Sequence, residues 1–163
     1  MNVEPKDWPT EASLYERDFH AWLLAQAEAL RGRNAGAIDW AHVAEEMEGL
    51  ARKDVQELRN RLARLIAHLL KMEHGRNRDP VFVWQATIDE QRDQIGYLLD
   101  ESPSLRPRLA ETAAEAWRSA RREALRSFAE HEKALLDRYE AALPTDLPYT
   151  VEQLLDLGFL PSP

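Results

Sequence analysis

The chain has no cysteine, which removes disulfides, thiolate nucleophiles, cysteine-ligated zinc fingers and iron–sulfur clusters from consideration. Glycine is scarce, at six residues, and none sits in a phosphate-cradling loop. No GxSxG elbow and no kinase signature set occurs. Most of the nine prolines lie near the ends, so the interior has few helix breakers. No apolar run approaches the roughly 20 residues a membrane span needs. "MNVEPKDWPTEAS" lacks a basic region followed by an apolar block, so no secretory signal is expected. A cytoplasmic protein that does not enter a membrane is the expectation.

What is present favours helix. The 163 residues are 44% hydrophobic and 31% charged, enough to bury a core in one domain of ordinary size. Alanine, leucine, glutamate and arginine dominate, all good helix formers. The pattern predicts an all-α fold: a single-domain helical bundle of four or five main helices with a short C-terminal helix. Residues 1–12 are expected to be an N-terminal arm. Residues 13–163 are read as the bundle, with 144–163 a tail packing on it.

The net charge of −8 argues against nucleic-acid binding, which needs a positive field. The charge alternates along the chain. Residues 1–50 carry net −6, 51–78 carry +5, 79–101 carry −5, 102–126 carry +3 and 127–163 carry −5. Complementary packing of neighbouring helices accounts for this pattern. An exposed basic surface for an acidic partner is the alternative.

"SLYE" reads as a capping box from Ser13 to Glu16. Tyr15, Phe19, Trp22, Leu23, Gln26 and Leu30 follow at helical spacing. Gly32 is expected to close this first helix in the left-handed conformation. Asp39 caps the next stretch. There Trp40, Val43, Met47 and Leu50 form one apolar seam, and Leu58, Leu62, Leu65, Leu69 and Met72 form another. The seams are out of phase, so 39–73 is either two helices bent near 49–54 or one helix with a shifted seam. Asp79 and Pro80 suit the start of a third helix, whose stripe is Trp84, Ile88, Gln91, Ile95 and Leu98. A fourth helix is expected from near Ser104 to about Ala142, with Leu109, Ala113, Ala116, Trp117, Ala120, Ala124 and Phe128 inward. Thr150 and Gln153 form a second capping box. Leu154, Leu155, Phe159 and Leu160 are expected to plug one end of the bundle.

Beside the Leu58–Met72 seam runs an ionisable row: Glu57, Arg61, Arg64, His68 and Lys71. His68 lies roughly 100° from the seam's centre, at the border of the core. It is either an edge residue or one facing a polar pocket. Arg61, Arg64 and Lys71 make a candidate interaction face. Glu46 stands on a border of its helix, where it pairs with a basic neighbour or, beside apolar walls, acts as base or ligand. Gln91 interrupts an apolar stripe and must find partners, with Glu46, His68 and Thr87 the expected ones. No HxxxH, HExxH or paired ExxH motif occurs. A metal site would have to be assembled across helices, with Glu46 and His68 as its candidate ligands.

The ordered series "DFHAWLLAQAEALR", "IDWAHVAEEMEGL", "LIAHLLKMEH", "WQATIDEQRDQI", "SPSLRPRLAETAAEAW" and "LPYTVEQLLDLGFLP" resembles the bacterial domain of unknown function family twenty-nine. The likeness runs from about Tyr15 to Pro161 and implies an all-helical domain, with no activity attached. The family pattern falls on Trp22, Asp39, Trp40, Glu45, Glu46 and His68. Further along, it falls on Leu69, Leu70, Trp84, Ile88, Arg92, Pro103 and Tyr149. Glu46, His68 and Arg92 are the polar members a core alone does not explain. The chain departs from the pattern in "RREALRSFAEHEKALLDRYEAALP", which is longer and more charged.

Two functions follow as expectations. The first is a non-enzymatic interaction module for a protein partner or a second copy of the chain, including a homodimer. The second is a small-ligand or metal-binding bundle, hydrolytic through a metal-bound water, with a polar pocket around Glu46, His68, Gln91 and Arg92. No cofactor is expected.

Overall fold

The computed structural model describes residues 13–76 and 81–162. The arm 1–12 and the Asp79–Pro80 helix start lie outside the described residues. The fold is all-α. Its α-helices, in chain order, are α1 Leu14–Arg17, α2 Phe19–Arg31, α3 Trp40–His74, α4 Val81–Glu101, α5 Leu109–His131, α6 Leu136–Ala142 and α7 Val151–Leu155. Single 3-10 segments cover Ala35–Ala37, Pro103–Arg108 and Lys133–Leu135. Two compact units, Met1–Ala51 and Arg52–Pro163, divide the chain at a point inside α3.

In the first unit, Ser13 and Glu16 form the expected capping box. The helix they open stops after one turn. Asp18 leaves the helical region at φ −151°, and its carboxylate accepts the Ala21 N–H at 2.9 Å, so it caps a second helix instead of continuing the first. The left-handed residue at the end of α2 is Arg33, at φ 52°, and not Gly32, which stays right-handed. The Arg33 N–H reaches the Leu30 carbonyl at 3.1 Å and the Asn34 N–H reaches that of Ala29 at 2.9 Å. These two bonds make a Schellman closure with arginine where glycine is usual.

Residues 40–74 are one continuous helix. Asp39 opens it, its carboxylate accepting the His42 N–H at 3.3 Å. The first seam is not buried. Trp40 is 60% exposed, Met47 60% and Leu50 61%. The side of α3 that carries His42 and Glu46 packs on Tyr15 instead, which leaves the Trp40–Leu50 side open. Phe19, Leu23 and Leu30, expected inward on the first helix, are also exposed. Trp22, Gln26 and Ala29 are the buried residues of α2.

The second unit holds the main core as a helical bundle. Leu58, Leu62, Leu65, Leu69 and Met72 are buried, joined by Ile66 and Leu70, so the C-terminal half of α3 is covered on several sides. Trp84, Ile88, Gln91, Ile95 and Leu98 of α4 are all buried. So is the whole expected inner face of α5, from Leu109 to Phe128. The fourth helix does not run on to Ala142: it breaks after His131, where Glu132 takes φ −137°. In a continuous helix Tyr139 would lie roughly 16 Å beyond Phe128. The break lets the Tyr139 ring stack on that of Phe128, with centroids 4.1 Å apart, and lets its hydroxyl donate to Glu132. The Thr150–Gln153 capping box is present, Leu154 is buried, and Leu155, Phe159 and Leu160 pack against the core.

Candidate functional site

The ionisable row on α3 divides. Arg61 bonds Glu57 at 2.7 Å near the surface, and Arg64 is exposed. His68 and Lys71 are buried, at 8% and 7% exposure, because the C-terminal half of α3 is central to its unit. The His68 Nδ1–H donates to the Arg64 carbonyl at 2.9 Å, which leaves the Nε2 lone pair facing Lys71 Nζ at 3.5 Å. Burial, with Lys71 and Arg64 adding like charge, pushes the His68 pKa down to about 4. The imidazole is therefore neutral near pH 7. Burial also lowers the Lys71 pKa, against the pull of Glu123, whose Oε1 stands 4.0 Å from the amine. A lone pair aimed at an ammonium group is poorly placed to ligate a cation.

Gln91 lines an open cleft of about 370 Å³ together with Lys53, Glu57, Arg61 and Arg64. Thr87, one of its expected partners, gives its hydroxyl to the Val83 carbonyl at 3.1 Å. Arg92 is buried and holds the C-terminal segment. Its Nε donates to the Leu154 carbonyl at 3.0 Å, and its Nη2 to those of Gln153 and Phe159 at 3.1 and 2.9 Å. Burial lowers its pKa, opposed by the charges of Asp89 and Asp156. Arg92 is thus engaged by backbone. Among the described residues, no group of three His, Asp or Glu side chains is placed to hold a metal ion.

Glu46 belongs to the first unit, where it accepts the Tyr15 hydroxyl at 2.6 Å. That bond, with burial and the charges of Glu46, Glu45 and Asp39, pushes the Tyr15 pKa up to about 12. The Tyr15 ring stacks on His42 at 3.9 Å, and His42 Nδ1 lies 2.6 Å from Asp39 Oδ2. The histidine bond holds the Asp39 carboxyl below its usual range. Gln26 closes the arrangement, its Oε1 accepting the Asp39 N–H at 2.7 Å. Sequence reasoning singled out Glu46 but not the Asp39–His42–Tyr15 set around it. The Asp39–His42 spacing of three was its local signal, whereas the Tyr15 contact spans 27 residues and has none.

Two exposed features stand out among the described residues. One is the apolar Trp40–Leu50 side of α3 in the first unit. The other is a groove of about 1450 Å³ in the second unit, running along α5 between α3 and the α6–tail segment. Sequence reasoning noted the basic excess over 102–126 but missed that Arg118, Arg122 and Arg126 recur every fourth residue and so share one face.

The described residues form an all-helical fold, and architecture alone attaches no activity to it. The chain belongs to the family described as domain of unknown function DUF29, whose model matches residues 14–160. No curated protein and no solved structure matches the chain. No helix among the described residues is long and apolar enough to cross a membrane.

Proposed function

We propose that this chain is a non-enzymatic protein-interaction module of one helical domain, residues 13–163, and that the Trp40–Met47–Leu50 face of α3 is its docking surface. The exposure of those three large apolar side chains on one side of one helix carries the reading. A monomer rarely leaves such a stripe to water, and the transfer of each side chain out of water is worth on the order of 1.5–3 kcal/mol. Phe19, Leu23, Leu24 and Leu30 add exposed apolar surface in the same unit. Residues 1–50 carry net −6, so the matching partner is a helix whose apolar stripe has a basic border.

Light scattering across a concentration series, with Met47→Glu/Leu50→Glu as the comparison, tests this. The same two proteins are titrated with a helical peptide bearing a leucine stripe bordered by lysine, read by tryptophan emission. A rise in mass with concentration that the variant lacks assigns the face to a second copy of the chain. A constant mass with peptide binding that the variant lacks assigns it to a foreign helix. A monomer that binds no peptide, or a variant that behaves like the wild type, overturns the reading.

A small-ligand reading retains one observation, the 370 Å³ cleft beside Gln91. Its lining sets Lys53, Arg61 and Arg64 against Glu57, which suits a small anion better than a metal ion. Citrate or phosphate raising the melting temperature of the wild type, and not of Arg61→Gln/Arg64→Gln, would favour it.

A further inference from the structure

The groove of the second unit has a floor, two braced walls and an unspent set of charges. Its floor is the outer face of α5, where Arg118, Arg122 and Arg126 stand among Ala114, Leu125 and Ala129. Arg59, Asn60 and Gln56 of α3 form one wall, and Glu140, Thr145 and Asp146 form the other. Two bonds hold the second wall to the floor. The Trp117 indole N–H donates to the Thr145 carbonyl at 2.8 Å, and Arg121 Nη2 donates to the Glu140 carbonyl at 3.0 Å. Glu115, three residues before Arg118 and also lining the groove, is taken by Arg59 at 3.7 Å. Arg118, Arg122 and Arg126 are exposed, and none has an ion pair or hydrogen bond with another described residue.

Size and spacing restrict the occupant. A helical segment of about ten residues is ~15 Å long and ~10–12 Å across, on the order of 1200–1700 Å³, and the groove offers about 1450 Å³. The three arginines rise about 12 Å along α5 in steps of four residues, the spacing at which another helix repeats one face. Leu125, between Arg122 and Arg126, and Ala129 one turn on give an apolar seat for a side chain of the incoming helix.

We infer that this groove binds an acidic amphipathic helix of a partner protein, with carboxylates at i, i+4 and i+8 meeting Arg118, Arg122 and Arg126. Guanidinium and carboxylate form paired, charge-assisted hydrogen bonds that neither group makes with water alone. A nucleic-acid strand fits less well. Glu115, Glu140 and Asp146 line the same groove, where they would oppose a continuous phosphate backbone, and the chain's net charge is −8. A peptide helix can place glutamate against the row and neutral or basic residues against those acids. This inference is independent of the first-unit docking face, since it uses other residues and the opposite charge.

The test is fluorescence anisotropy with the full chain at low salt. The probe is a labelled 15-residue alanine-rich peptide with glutamate at positions 3, 7 and 11 and leucine at position 8. The comparison probes carry glutamine in place of glutamate, or are a labelled single-stranded RNA of similar length. The glutamate peptide is expected to bind at least tenfold more tightly than the glutamine peptide and than the RNA, and to weaken with salt. Arg118→Gln/Arg122→Gln/Arg126→Gln is expected to lose at least tenfold with an unchanged melting temperature. Arg108→Gln, an exposed arginine that does not line the groove, is expected to bind as wild type. No binding of the glutamate peptide, equal binding of both peptides, or full binding by the triple variant would overturn the inference. Tighter binding of RNA through the same three arginines would overturn it in favour of a phosphate polyanion.

Discussion

Arg92, in the middle of α4, donates from Nε to the main-chain carbonyl of Leu154 at 3.0 Å, across 62 residues of sequence. The same guanidinium reaches Gln153 and Phe159, so one buried cation fastens the C-terminal segment by its backbone. Arg92→Ala removes three charge-assisted bonds and strands three carbonyls. It is expected to lower unfolding free energy by about 3 kcal/mol in urea titration and to speed proteolysis after residue 150. Arg92→Lys, with a point charge in place of the fork, should recover less than half of that loss. A cost below about 1 kcal/mol for Arg92→Ala would show that the tail is held by its apolar contacts instead.

His68 makes stability depend on pH. Its folded pKa, about 4, lies below the ordinary 6.5, so the unfolded chain binds the extra proton between those values. The contribution is whole above pH 6.5, falls as pH drops, and is fully lost below about pH 4. The span corresponds to roughly 3 kcal/mol. His68→Gln keeps a polar side chain near Lys71 and has no proton to bind. Urea midpoints at pH 7.5, 6 and 5 should converge between wild type and variant as pH falls. Parallel profiles would show that His68 does not titrate with folding.

Arg33 holds a left-handed conformation that a side chain disfavours by roughly 1–2 kcal/mol. It is exposed and is not part of either proposed surface. Arg33→Gly should relieve that strain, partly offset by the freer unfolded chain, for a net gain of about 0.5–1 kcal/mol in thermal or urea unfolding. A loss of stability would mean that the arginine side chain contributes more than its backbone costs.

Gly75 ends α3 against the Trp84 ring. A Cβ there would stand 2.5 Å from the Lys71 carbonyl oxygen and 3.0 Å from Trp84 Cη2. Backbone cannot yield as a flexible side chain does, so Gly75→Ala is expected to cost about 1–3 kcal/mol. Near-ultraviolet circular dichroism should also change as the Trp84 ring shifts. An unchanged spectrum and midpoint would show that the helix end relaxes freely.

The sequence by itself determined the helices' existence and most of the core. Periodicity on α4, α5 and the second half of α3 named the residues that are buried, because apolar spacing at 3–4 residues has one physical use there. The capping boxes at Ser13 and Thr150 were legible because their bonds close within three residues. Tertiary structure decided the rest. Apolar spacing over Trp40–Leu50 marks a face that wants cover, but whether it is covered depends on the three-dimensional arrangement, and Trp40, Met47 and Leu50 are exposed. The breaks at Asp18 and His131 were hidden because local helix preference was satisfied on both sides. An extra cap at Asp18 and the Phe128–Tyr139 stack outweighed continuation. The candidate polar site was the least legible part. His68 was assigned to a border by angle, yet it is buried because the helix around it is surrounded. Glu46 and Arg92 took partners that only folding could supply, Tyr15 and the tail's own backbone, and folding set Gln91 beside Lys53, Arg61 and Arg64 in one cleft.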